Sequence, residues 1–205
     1  MLYVSAFESK ALALLRQLMT LEFLKDTMLG GTALALQIGH RKSIDLDIFG
    51  KVAMEIFETE LPFPPELKIE QIRSTQNIKV YIINGIKVDI VNYMYPWLDK
   101  PVVKEGLRLA SEKDIAAMKL AAITGRGTKK DFIDLSFLLE RSSLEQIMKY
   151  YLTKYRDGSE FLVVKSLGYF NDAEKDEMPE MIMKKSWDQV KAEINFALKK
   201  YVSET

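Results

Sequence analysis

Thr27-Met28-Leu29-Gly30-Gly31-Thr32-Ala33-Leu34-Ala35-Leu36 and, shortly after it, Ser43-Ile44-Asp45-Leu46-Asp47-Ile48-Phe49-Gly50 decide the fold of this chain. In the first segment a short apolar strand, 27–29, ends in two glycines. A helix is predicted from Thr32 to about Ile38, with Gly39 as its C-cap. Glycine lets a ligand approach the backbone closely. A helix that starts there offers unpaired N–H groups and the positive end of its dipole, which suit a phosphate; the same residues also read as an ordinary turn. In the second segment polar and apolar residues alternate over 43–49, the period of a strand. On a strand, residues i and i+2 share a face, so Asp45 and Asp47 are expected to project together while Leu46 and Ile48 face the core. Carboxylates about 7 Å apart repel unless a cation lies between them. Taken alone, the pair reads equally as an edge strand with solvated aspartates.

Thirteen residues separate Gly31 from Asp45. That spacing allows one helix to leave a strand end, cross and return as the next strand. Strand-like runs follow at 67–74, 77–83 and 86–92, the last two joined by Asn84-Gly85, a strong hairpin signal. Asp89 falls among Ile86, Val88 and Ile90, on the opposite face from them, and reads either as a surface position or as a third carboxylate beside the first two. Before the glycines, helical spacing covers 6–24; after Gly50 it resumes at about 52–60, until Pro62, Pro64 and Pro65 break it. Beyond Pro96 and Pro101 the pattern turns helical: 112–124 (opened by an N-cap at Ser111), 129–140, 143–155, 159–169 and 186–202, with a loop at 171–185. The expected class is α+β, a mixed sheet flanked by helices and followed by a C-terminal helical bundle. The expected domains are 1–105 and 106–205.

Composition narrows the chemistry. Of the 205 residues, 29 are Lys or Arg and 29 are Asp or Glu, so no overall basic field exists to bind nucleic acid non-specifically. There is no cysteine and one histidine, His40, which excludes disulfides, thiolate zinc sites and two-histidine metal sites within one chain. Any metal must sit among oxygens, favouring Mg²⁺ or Mn²⁺. Glu8, Lys10 and Arg16 interrupt the N-terminal apolar run, so it does not read as a signal peptide. No apolar stretch approaches the ~18 residues of a membrane span. A cytoplasmic protein is expected, with no membrane partner.

A second feature lies at 115–130, where Lys119, Arg126, Lys129 and Lys130 stand with no acid among them. In a neutral chain this local charge reads as anion-directed, a clamp for β- and γ-phosphates, or as a solvated basic helix end. Asp131 and Asp134, one helical turn apart, are expected to orient these cations or to pair with Lys130. Arg41 and Ser43 precede the carboxylate pair and are placed to touch a phosphate; His40 reads as a loop residue. Tyr93, Tyr95 and Trp97 read as core packing or as a platform for a base.

Apolar-Gly-Gly, a gap, then Asp-apolar-Asp-apolar resembles the signature of the DNA polymerase β-like nucleotidyltransferases. The fuller string Gly30-Gly31-Thr32-Ala33-Leu34-Ala35-Leu36, then His40-Arg41-Lys42-Ser43-Ile44-Asp45-Leu46-Asp47-Ile48-Phe49, is similar to the AbiEii/AbiGii toxin branch. So is the later block Asp114-Ile115-Ala116-Ala117-Met118-Lys119, then Arg126, then Lys130-Asp131-Phe132-Ile133-Asp134-Leu135. The likeness covers roughly residues 24–140. It implies transfer of a nucleoside monophosphate from an NTP to an acceptor hydroxyl on RNA (such as tRNA) or protein, with Mg²⁺ or Mn²⁺, by a toxin that has an antitoxin partner. It implies metal binding by Asp45 and Asp47, with Asp89 completing the site through its strand context. Gly30, Gly31, Thr32 and Ser43, with Lys119, Arg126 and Lys130, are then the nucleotide contacts, Lys119 also acting on the leaving group, and Asp131 and Asp134 support them from behind. Two readings share this site: a drug-modifying nucleotidyltransferase, and a catalytically silent partner-binding module. A metal-dependent glycosyltransferase would explain Asp-x-Asp but not the Gly-Gly helix start.

Overall fold

A computed structural model describes residues 2–59 and 61–204. The chain divides into two compact units. The first runs to Tyr95 and adds Pro101–Ala110; the second takes Pro96–Lys100 and everything from Ser111.

The first unit is a seven-stranded mixed sheet. Its elements are α1 (Ser9–Leu18), β1 (Thr27–Leu29), α2 (Gly31–Ile38), β2 (Leu46–Gly50), α3 (Ile56–Thr59), β3 (Ile69–Ser74), β4 (Ile78–Ile83), β5 (Ile86–Asn92), β6 (Val102–Lys104) and β7 (Leu107–Leu109). The strand order is β3-β4-β5-β2-β1-β7-β6. Alternation dictates the two faces of the sheet. Leu46, Ile48, Tyr81, Ile83, Val88 and Ile90 are fully enclosed on one; Asp47, Phe49, Lys87, Asp89 and Val91 are half-buried on the other. The β4–β5 hairpin turns at Asn84 and Gly85, whose φ of 51° and 83° match the mirror-image turn that suits strand twist.

Two sequence expectations change here. The helix over 6–24 is shorter, with 3₁₀ turns at Val4–Ala6 and Glu22–Leu24 flanking α1. The segment around residue 105 is a β6–β7 hairpin rather than a domain edge, and β7 lies parallel to β1 through Leu29 and Leu109. Arg108 fastens it: its guanidinium donates to the carbonyls of Thr27 (2.8 Å), Met19 (3.0 Å) and Leu24 (2.9 Å).

The second unit is helical: α4 (Glu112–Gly125), α5 (Lys129–Leu139), α6 (Leu144–Lys154), α7 (Glu160–Leu167), α8 (Asn171–Glu174) and α9 (Trp187–Glu204). α8 falls inside the stretch expected as a loop. Ser111 accepts from the Asp114 N–H as predicted for an N-cap. The Asp114 carboxylate, fully buried, also accepts from the N–H groups of Leu98 and Asp99 and from the Lys154 ammonium at 2.7 Å. Lys154 donates to the Pro96 carbonyl as well and sits 4.3 Å from the Trp97 ring centroid. These bonds explain why residues 96–100 belong to the helical unit. Among the described residues, no helix is long and apolar enough to cross a membrane.

Candidate active site

The site is built on β1, β2 and β5. Gly30 follows β1, and its N–H donates to the Asp47 carbonyl at 2.8 Å. Asp47 is in turn the direct partner of Asp89 across the parallel β2–β5 pair. Gly30, Asp47 and Asp89 therefore occupy one row across three strands, and the two carboxylates leave the sheet on the same face. α2 starts at Gly31, so its first N–H groups, which have no partner within the helix, open beside this row.

Gly30 is required by close packing. A Cβ there would lie 2.4 Å from Cε2 of Phe49. Phe49 shares the carboxylate face and meets Tyr93 edge-on at 5.4 Å between ring centroids. Tyr93 is buried and Tyr95 packs against it at 5.2 Å. Trp97 belongs to the other unit, over Lys154, so the expected aromatic cluster is divided.

Lys87, two residues before Asp89 on the same face, stands at the carboxylate. Its Nζ lies 2.7 Å from Oδ1 and 2.8 Å from Oδ2, and hydrogen-bonding geometry is met at Oδ2. Burial works to lower the Lys87 pKa, but Asp89, Asp47 and Asp45 together outweigh it and hold it above the ordinary lysine value. All three aspartates of the sequence pattern thus act on one ammonium. The pattern alone did not single out Lys87; its i−2 relation to Asp89 on a strand was the available signal.

Asp45 departs from expectation. β2 begins at Leu46, so Asp45 lies in the preceding irregular segment and strand alternation does not align it with Asp47. It is held through its backbone. The Thr32 hydroxyl donates to the Asp45 carbonyl at 2.8 Å and lies 3.0 Å from Ser43 Oγ. A carbonyl only accepts, so the Thr32 proton is used there, and the Ser43 hydroxyl must donate to Thr32. Both side chains are buried. With both protons spent, Thr32 and Ser43 orient Asp45 and have no hydroxyl proton left for a phosphate. The backbone N–H groups of Gly31 and Thr32, in the first turn of α2, have no partner within the helix.

The donor chemistry fits a hard divalent cation. Two adjacent carboxylates meet side by side, and a cationic side chain already neutralises one of them. Among the described residues no three carboxylates converge on one point. Mg²⁺ is commonly held by one or two carboxylates together with substrate phosphates, a requirement that the pair Asp47 and Asp89 fits.

The basic block of the helical unit divides in two. Lys119 is buried, with Nζ 2.9 Å from Asp131 and 2.6 Å from Asp134. Its partners are the two aspartates expected to orient the cations, which pair here with Lys119. Lys129 is also internal, bonded to Asp176 and placed 5.2 Å from the Trp187 ring centroid. Arg126 keeps its side chain 70% exposed while Nε donates to Asp131 at 3.3 Å, and Lys130 is exposed. Burial pushes the Asp131 carboxyl up, but Lys119, Arg126 and the Thr128 hydroxyl more than offset it and hold it below the usual aspartate value. The four-cation cluster is thus two internal cations and two exposed ones, because the α5 acids Asp131 and Asp134 neutralise Lys119 and the backbone carbonyls of Glu174 and Asp176 accept from the Lys129 ammonium.

Known proteins agree with this architecture. The family profile described as nucleotidyl transferase AbiEii toxin, type IV TA system, matches residues 13–204. An uncharacterised protein of Aquifex aeolicus strain VF5 is 34% identical over 179 residues, covering 84% of this chain and 86% of that protein. Among solved structures, JHP933 from Helicobacter pylori superposes with a TM-score of 0.55 at 20% identity, covering 97% of this chain and 96% of its own. MenT4, a nucleotidyltransferase toxin from Mycobacterium tuberculosis H37Rv, gives 0.56 at 17% identity, with 93% and 84% covered. These two structures share the fold, and the profile match over nearly the whole length shows that this chain belongs to the AbiEii nucleotidyltransferase toxin family.

Proposed function

We propose that the protein moves a nucleoside monophosphate from an NTP to an acceptor hydroxyl, as the toxin of a toxin–antitoxin pair whose antitoxin is its partner. The observation that carries this reading is the row Gly30–Asp47–Asp89, which sets a helix N-terminus beside two adjacent carboxylates.

Asp47 and Asp89 would hold Mg²⁺ or Mn²⁺, with Asp45, on the segment just before β2, as the third carboxylate. Bound there, the ion supplies charge neutralisation for the triphosphate and acidifies the acceptor hydroxyl. The chain supplies the rest. Gly31 and Thr32 N–H groups bind phosphate oxygens at the α2 N-terminus. Thr32 and Ser43 fix the segment that carries Asp45. Asp89 accepts the acceptor's proton as its oxygen forms the new bond to the α-phosphorus; the bond to the β-phosphate oxygen breaks and its electron pair leaves with pyrophosphate. Arg126 and Lys130 are the anion-binding candidates of the helical unit, and Lys119 supports Arg126 by sharing Asp131.

The acceptor is RNA or protein. The test is incubation with Mg²⁺ and each α-labelled NTP in turn, in an extract that contains both, with Asp45→Ala alongside. Label in one macromolecular band, absent with the variant, is expected. Near-normal labelling by Asp45→Ala would sink the assignment.

A further inference from the structure

β3 carries an irregularity that the sequence does not announce. Gln71 pairs with Tyr81, yet Arg73 pairs with Val80. One extra residue, Ile72, is accommodated between them as a β-bulge. Without it, Ile72 would oppose Val80, and Arg73 would fall on the same face as Tyr81. A one-residue slip exchanges the faces of a strand, so the bulge delivers Arg73 to the carboxylate face. Val80 is itself the partner of Asp89. The row therefore extends through Gly30, Asp47, Asp89, Val80 and Arg73.

Arg73 is exposed on the edge strand and makes no hydrogen bond or ion pair with any described residue. Its Cα lies two strand spacings from that of Asp89, roughly 10 Å, on the same face of the sheet. The order along the row gives direction. The helix N-terminus, suited to the triphosphate, is at one end and Arg73 at the other. In-line transfer needs the attacking hydroxyl opposite the leaving pyrophosphate, so the acceptor enters from the β5–β4–β3 side. An unpaired guanidinium on that approach suits an anionic acceptor, and a phosphodiester accepts its fork of donors in two parallel bonds.

We infer that Arg73, brought to the catalytic face by the β3 bulge, binds a backbone phosphate of a nucleic-acid acceptor next to its reacting hydroxyl. This rests on the nucleotidyltransferase reading and deepens it by assigning the acceptor side of the site and favouring RNA over protein.

The experiment measures binding of a short single-stranded RNA, labelled at its 5′ end and bearing a free 3′ hydroxyl, by fluorescence anisotropy across a salt series. The full-length protein, Arg73→Ala and Lys104→Ala are compared. Lys104 is an exposed cation at the opposite edge of the sheet and serves as the charge-matched control. Mg²⁺-dependent NTP binding is measured on the same samples. Arg73→Ala should weaken RNA binding several-fold and reduce the slope of log affinity against log salt by about 1. Lys104→Ala should match the parent, and NTP affinity should stay the same in all three. Equal RNA affinity for Arg73→Ala and the parent overturns the inference. So does a parent protein that binds NTP but no RNA, which leaves the nucleotidyltransferase reading standing. Parallel loss of NTP and RNA affinity in Arg73→Ala would assign the residue to the triphosphate instead and likewise overturn it. Absence of NTP binding with RNA binding intact would strike the underlying reading alone.

Discussion

Asp47 and Asp89 face each other across the parallel β2–β5 pair, with the Lys87 ammonium against Asp89. Like charges on directly opposed strand positions destabilise a sheet, and neighbouring strands are only about 4.8 Å apart. Such a pair is stable when a cation stands beside it. Lys87 fills that need from within the chain, and a divalent ion would fill it more fully.

In the proposed reading, Lys87 and a metal ion compete for the same oxygens. Lys87→Met should bind Mn²⁺ several-fold more tightly than the parent, measured by electron paramagnetic resonance of free Mn²⁺. Unchanged or weaker Mn²⁺ binding would show that Lys87 does not occupy the cation's place.

Gly30→Ala should injure the site more than the fold. The new methyl meets the Phe49 ring, so either the ring or the glycine turn must move off the carboxylate row. Overpacking of this kind costs about 1–3 kcal/mol, measurable by thermal unfolding. Transfer activity should fall at least tenfold, and Gly30→Ala with Phe49→Leu should recover part of it. Full activity in Gly30→Ala would mean that the turn need not sit against Phe49.

Much of this architecture was legible in the sequence. Asn84-Gly85 between alternating runs specified the β4–β5 hairpin, and alternation placed Asp89 opposite Val88 and Ile90. β6 and β7 escaped because each has three residues and because β7 is recruited by a partner about eighty residues away, at Leu29. The turn at Glu105-Gly106, with φ of 53° and 78°, was the missed clue. The strand expected over 43–49 begins only at Leu46, because Thr32 and Ser43 hold the backbone before it in a different course. Lys119 read as a free cation because its two acids lie 12 and 15 residues on, a separation that becomes contact only when α4 and α5 fold back on each other. The β3 bulge leaves no mark in residue type at all.

The Lys119–Asp131–Asp134 cluster predicts an acid limb in stability. Asp131 has its folded pKa below the ordinary value near 3.8. A carboxylate depressed in this way contributes stability above its unfolded pKa and loses it as pH falls through the folded value. Urea unfolding should therefore show stability declining below about pH 4. Asp131→Asn should be less stable at pH 7 by about 3 kcal/mol, since it strips a buried ion pair of one partner, and should show a shallower decline. Equal stability of the two proteins at pH 7 would contradict the role assigned to the pair.

Lys154 makes the same argument where no chemistry is involved. Burial lowers its pKa, and Asp114 only partly offsets this. Lys154→Met should cost about 3–5 kcal/mol by leaving the Asp114 carboxylate buried without its cation. It should also change the fluorescence of Trp97, which loses the ammonium over its ring. Urea titration followed by tryptophan emission reads both effects, and a variant as stable as the parent would refute the assignment.

The central claim is that Asp47 and Asp89 jointly create the metal–nucleotide site. The most direct test is calorimetric titration of an NTP, with and without Mn²⁺, into the parent protein, Asp47→Asn and Asp89→Asn, each checked for unchanged melting behaviour. Mn²⁺-dependent binding by the parent that is lost in both variants is the predicted result. Binding that persists in either folded variant, or that never depends on the metal, would contradict it.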